Sequence, residues 1–160
     1  MRKHLVRASA TLALLIAACG GSTASPTTTP SAPACVNAGA AHHAYLVVQH
    51  LSGATLQRCV GFDAAQINGD DLMKQSGIEY QTQTFSGLGK AVCQVDNEPA
   101  QYAECFAKDR PFWATLVSTG GGWQEAQTGY AGIDLKDGDA LGWQYHAQDA
   151  TPSPPPLPKK

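Results

Sequence analysis

Four kinds of side chain in this 160-residue sequence have the chemistry to act on something: histidines, paired carboxylates, cysteines and aromatic rings. His42, His43, His50 and His146 would form a metal site only where several imidazoles converge. Neighbours on an extended chain point to opposite faces, so at most one of His42 and His43 can join His50. The histidines therefore read as polar surface, and no metal site is expected. Asp70-Asp71 and the Asp137/Asp139 pair have the carboxylates a glycoside hydrolase would use. Yet Asp70 and Asp71 suit the first turn of a helix, where the dipole favours negative charge, and Asp137-Gly138 suits a hairpin turn. There is no Gly-x-Ser-x-Gly elbow, and Ser118-Thr119 beside three glycines fits a turn. The Gly120–Gly122 run is followed by neither a helix nor a lysine, which excludes a phosphate loop of the usual kind. No catalytic residue is assigned, and the chain reads as a non-enzyme.

The aromatic residues make the stronger set. Leu141, Trp143 and Tyr145 fall at period two, which gives one strand a large apolar face. Alternation of that kind places Trp143 and Tyr145, together with Trp113, in a core. Trp123 follows three glycines directly, and Tyr130 lies between Gly129 and Gly132. Both are expected on glycine-rich loops, where flat rings offer a surface to a ring-bearing ligand or another protein. Packing of Trp123 against a sheet edge is the competing expectation. Trp123, Tyr130 and Trp113 are the candidate ligand contacts.

Cysteines and composition place the protein. Residues 1–18 combine Arg2, Lys3 and Arg7 with a short apolar run from Ala8 to Ala18, too brief for a permanent membrane span. The Ile16-Ala17-Ala18-Cys19-Gly20 boundary resembles the lipobox of bacterial lipoprotein signal peptides. That resemblance implies a diacylated Cys19 as the new N-terminus and a location on the outer side of a cell membrane, since two acyl chains anchor stably. Residues 19–34 are small, polar and proline-bearing, a disordered tether. Losing Arg2, Lys3 and Arg7 from the 11 basic residues leaves 8 against 13 acidic ones, a net of −5. Such a balance argues against a nucleic-acid partner. Cys35, Cys59, Cys93 and Cys105 remain as an even set in an oxidising compartment. None are spaced as zinc ligands. Of the three possible pairings, Cys35–Cys59 with Cys93–Cys105 closes sequential loops and is favoured, each bond contributing roughly 2–4 kcal/mol.

Residues 35–149 are of single-domain size. Tyr45–Leu51 and Thr55–Phe62 read as a hairpin about Ser52-Gly53. A short helix starts near Asn68 or Asp70 and stops at Gly77, which suits the residue just past a helix end. Ile78–Phe85, Lys90–Val95, Pro111–Ser118 and Ala140–His146 read as strands. The order is α+β, with one short helix on a small mixed sheet stapled by disulfides. Residues 150–160 form a disordered Pro-rich tail, frayed or lying on the surface. Its Pro155-Pro156-Leu157-Pro158 has the spacing of a polyproline-helix ligand.

Asp70–Ile78 with its leucine and closing glycine, then Phe112-Trp113-Ala114, Gly122-Trp123, Leu135-Lys136-Asp137-Gly138-Asp139 and Trp143-Gln144-Tyr145, resemble in order the transcobalamin-like C-terminal domain family. The resemblance runs from about Ala44 to His146, and Gly120–Gly122 departs from the Asn-Gly corner of the family. It implies a β-grasp-like fold and a domain that closes over a corrinoid held mainly by a separate helical domain. No such helical domain occurs in this sequence, so cobalamin binding is not carried over from the family; no cofactor is required, and a cobalamin-like ligand is an expectation of the resemblance alone. The expected function is a membrane-anchored, extracytoplasmic, non-catalytic module that binds a small ring-bearing ligand through the Trp123 and Tyr130 loops. The alternative is a protein-interaction module of the cell envelope. A hydrolase using Asp137 or Asp139 is a weaker third.

Overall fold

A computed structural model describes residues 34–150 and 153–159. The expected signal segment 1–18, the expected lipid site Cys19 and the expected tether up to residue 33 lie outside the described residues. The chain opens with β1 (Cys35–Val36), β2 (His42–Gln49) and β3 (Thr55–Phe62), then β4 (Ile67–Asn68) leads into α1 (Gly69–Gln75). A hairpin of β5 (Tyr80–Phe85) and β6 (Gly89–Val95) follows, then β7 (Phe112–Ser118) and β8 (Trp123–Glu125). A 3-10 turn at Tyr130–Gly132 precedes β9 (Asp134–Leu135), and β10 (Ala140–His146) comes last.

Six of these strands make one mixed sheet in the order β1-β3-β2-β10-β7-β8. β10 lies at its centre, parallel to β2 and antiparallel to β7, so Trp143 sits between Val48 and Thr115. The remaining strands pair apart from it, β4 with β9 and β5 with β6. Where the sequence suggests one small sheet, the β5–β6 hairpin thus stands on its own. The molecule is a small, mostly β α+β domain with one short helix and two disulfides, Cys35–Cys59 and Cys93–Cys105. Cys35 and Cys59 are direct partners in the β1–β3 register.

Side-chain alternation decides what the sheet buries. From β2 the residues Ala44, Leu46 and Val48 face α1, and from β10 Leu141, Trp143 and Tyr145 do the same. Leu72 and Met73 of α1 are fully buried against them. The Trp143 indole N–H donates to Met73 Sδ at 3.2 Å, so its polar atom is satisfied inside the core. The helix begins as its residues require. Asn68 caps it, its Oδ1 accepting from the Asp71 amide at 2.9 Å, and Gly77 follows the last turn with φ +71°.

The Asp137-Gly138 turn differs from the expected hairpin. Asp139 N donates to Lys136 O across the turn, with Gly138 in the left-handed region. The strands it joins are not partners of each other: β9 pairs with β4, and β10 with β2 and β7. The turn is pinned to β2 instead, where Asp137 Oδ1 accepts from His43 N at 2.8 Å and Gly138 N donates to His43 O. Residues 153–159, expected within a disordered tail, lie against the sheet face opposite α1, with Pro155 buried.

Candidate functional site

The loop between β6 and β7 leaves the sheet at Val95 and returns at Phe112, closed on itself by Cys93–Cys105. Its first residues are tied down firmly. His50 at the end of β2 meets Glu98 through Nδ1 at 2.7 Å and Asp96 through Nε2 at 3.2 Å. Glu98 O accepts from the Trp113 indole N–H at 2.8 Å, and the His50 ring stands edge-on to Trp113, centroids 6.1 Å apart. Trp113 therefore serves as the buried post that holds this loop, and Tyr145 lies over it at 4.8 Å. Burial raises the pKa of Tyr145, with the nearby Glu98 carboxylate adding to the rise and Arg110 opposing it.

Beyond this fixed base a cleft of about 320 Å³ opens, walled by the Cys93–Cys105 disulfide, Pro99, Tyr102, Arg110 and Tyr145. A relay of amides lies beside it: Tyr102 Oη donates to Gln81, Gln81 to Gln94, and Gln94 to the Pro99 carbonyl. Tyr102 and Phe106 stand 36% and 41% exposed, large rings facing solvent on an otherwise polar loop. Phe106 continues a row of rings across the surface, 5.2 Å from Phe85 and 6.2 Å from Phe112, which is 4.5 Å from His146. These rings lie in an irregular loop or singly on different strands, so no periodic pattern marks them in the sequence. Their one signal is the aromatic content close to Cys93 and Cys105.

The expected Trp123–Tyr130 surface does not exist. Tyr130, expected on an exposed glycine-rich loop, is fully buried and packs edge-on against Trp143 at 5.4 Å. Its hydroxyl donates to Asp70 Oδ1 at 3.0 Å, a partner sixty residues earlier in the chain. Trp113 is also buried, 3% exposed, which removes it as a direct ligand contact. Trp123 is half-buried on the other side of β10, its ring filling the space above Gly142, where an added Cβ would stand 2.8 Å from it. Trp123 stands on the edge strand β8, but its ring reaches inward over the central strand and stays partly exposed.

The carboxylates and histidines have other work. Asp70 accepts from Lys74 and Lys90, each at 2.8 Å, besides Tyr130. Those hydrogen bonds, Lys74 foremost, hold its carboxyl far below the usual carboxylate range. Burial, then the Asp70 carboxylate, pushes Tyr130 far above the usual phenol range. Asp137 and Asp139 bind main-chain amides of His43 and Lys136. His42 packs on Phe62, and His43 Nε2 lies 3.3 Å from Ala38 O, so the histidines do not converge. Among the described residues no cluster of three or more His, Cys, Asp or Glu could hold a metal. Neither a protein-family model nor a curated protein matches the chain.

Proposed function

We propose that the protein is a membrane-anchored, extracytoplasmic, non-catalytic binding module, and that its ligand, a small ring-bearing molecule, occupies the cleft beside Cys93–Cys105. The observation that carries this reading is the exposed ring of Tyr102 in the cleft wall, on a loop held by a disulfide, a buried Trp and a His–carboxylate contact, with Phe106 exposed on the same loop outside the cleft. Rings already held in place lose little freedom on binding, which is where affinity is otherwise spent. The cleft volume lies at the lower end of the range for small-molecule sites. A corrinoid would meet it only along one edge, so the family resemblance supports the β-grasp-like architecture, with α1 crossing a sheet whose β2 and β10 run parallel at the centre, more than the ligand. Anchoring through a lipid on Cys19 rests on the lipobox resemblance and on the two disulfides, which suit an oxidising compartment.

A second reading, a protein-interaction module, is favoured by the ring row from Phe85 to His146, which extends past the cleft. Titration calorimetry with small aromatic ligands and with cobinamide separates the two. Saturable heat that falls at least about tenfold in affinity in Tyr102→Ala supports the small-ligand reading. Heat from cobinamide alone returns the ligand to the corrinoid class. No heat from any ring compound, with an envelope protein retained by the unmodified chain and lost on Phe106→Ala, establishes the interaction module instead.

A further inference from the structure

The face of the sheet opposite α1 is covered by residues 153–159, and among the described residues the side-chain hydrogen bonds to that segment are made in the same manner. Trp123 Nε1 donates to the Pro155 carbonyl at 2.7 Å, Gln144 Nε2 donates to the Ser153 carbonyl, and Gln57 Oε1 accepts from Lys159 N at 3.3 Å. Three side chains from three strands thus read the main chain of the segment and none of its side chains. A proline run suits that recognition. Its φ angles are locked, each residue before a proline is pushed to extended backbone, and no internal hydrogen bonds tie up its carbonyls. The indole of Trp123 reaches across the strand because residue 142 has no Cβ to hold the ring away.

The segment is an imperfect occupant. Gln144 is 5% exposed, and its Oε1 is buried without a partner; so is Oε1 of Gln49, its register partner on β2. Two acceptors side by side beneath the segment call for a donor. Pro154 and Pro155, which follow the Gln144 contact, have no N–H to supply one. An extended chain with the same proline spacing but an N–H-bearing residue at this point would satisfy acceptors that the chain's own segment leaves bare.

We infer that this face, around Trp123, Gln144 and Gln57, is a groove for an extended proline-rich segment of another protein, and that residues 153–159 occupy it as a displaceable stand-in. The site is separate from the cleft beside Cys93–Cys105. The short connection from His146 holds the stand-in at an effective concentration on the order of 1 mM, against which an external segment must compete. The groove opens only to a better occupant.

The experiment uses the full chain carrying Pro154→Gly, Pro155→Gly and Pro156→Gly, which keeps the segment but removes its rigidity. It is titrated with the free peptide Thr-Pro-Ser-Pro-Pro-Pro-Leu-Pro-Lys-Lys, following the Trp123 indole N–H resonance. The expected result is a saturable shift in the triple variant that needs at least about fivefold more peptide when Gln57→Ala is added, with the unmodified chain binding about tenfold more weakly. A peptide carrying Ala in place of the first proline of the Pro-Pro-Pro run should bind more tightly than the parent, because it restores an N–H. An absent shift in both chains, or equal affinity in both, overturns the inference. So does an unmodified chain that elutes as a dimer exchanging its segments, since the occupant is then a second copy. Should the triple variant fail to fold, displacement of the same resonance in the unmodified chain by excess peptide decides the matter in its place.

Discussion

Replacing Asp70 by Asn tests whether one carboxylate joins the helix to the rest of the domain. Asp70 accepts from Lys74 on its own helix, from Lys90 on β6 and from Tyr130 in the 3-10 turn. The contributions are unequal. Lys74 is 57% exposed and spaced i to i+4, so solvent screening leaves that pair the least of the three. Lys90 is 35% exposed, and screening limits it to about 0.5 kcal/mol. The Tyr130 hydroxyl is buried, and exchanging its charged acceptor for a neutral amide loses about 1 kcal/mol. Asp70→Asn should therefore destabilise by about 1.5 kcal/mol at pH 7, read as a lower urea midpoint at unchanged slope. The pH dependence is the sharper test. With its folded pKa depressed, Asp70 contributes its full stability above the unfolded value of about 3.9 and loses it as pH falls through the folded value. The gap between the two proteins should hold from pH 7 to 5 and narrow steadily from pH 4 downward. A gap unchanged at pH 2, or one below about 0.5 kcal/mol at pH 7, refutes the reasoning.

Opening the Cys93–Cys105 bond by changing both residues to Ser frees a loop with a sequence separation of 12, which should cost about 3 kcal/mol in chemical denaturation. The same variant should lose ligand heat at the cleft even at temperatures where it stays folded, because the bond forms one wall. Gly142→Ala should displace the Trp123 ring, costing about 1–2 kcal/mol and shifting its fluorescence to the red, while the near-ultraviolet signal of buried Trp143 is retained.

The parts of the fold legible in the sequence are those set by neighbours in the chain. Alternation from Leu141 to Tyr145 places three large residues on one face, and that face is the core. Asn68 and Gly77 bound the helix because caps act within one turn. Sequential loops at Cys35–Cys59 and Cys93–Cys105 agree with the pairing found. What the chain hides is partnership at a distance. Nothing local to Tyr45–Gln49 announces that it will lie parallel to Ala140–Gln144. Tyr130 shows the same limit at one residue. Its glycine neighbours suit an exposed loop, but Trp143 and Asp70 supply a buried ring site and a buried acceptor. The cleft is hidden for a related reason: Pro99, Tyr102 and Arg110 belong to a loop without period, brought together by a covalent bond and by His50 from another strand. Of the three rings singled out by type, Trp123 is the one left partly exposed, and its N–H is held by a main-chain carbonyl of the chain's own segment.

The staple at Cys35–Cys59 also has a mechanical meaning. β1 is two residues long and, the disulfide apart, is held to β3 by parallel pairing, so without that bond tension arriving from residue 34 would peel it away one hydrogen bond at a time. Cys35 is the first residue of that strand, and its sulfur is bonded to the middle of β3. A pull on the preceding chain is therefore carried by a covalent bond into a strand whose eight residues are paired along their length with β2. Load is shared across that ladder in shear, and the cleft and the groove keep their shape while the chain ahead of them is under strain. Reduction of this one bond would make the domain yield first at β1 under such a pull.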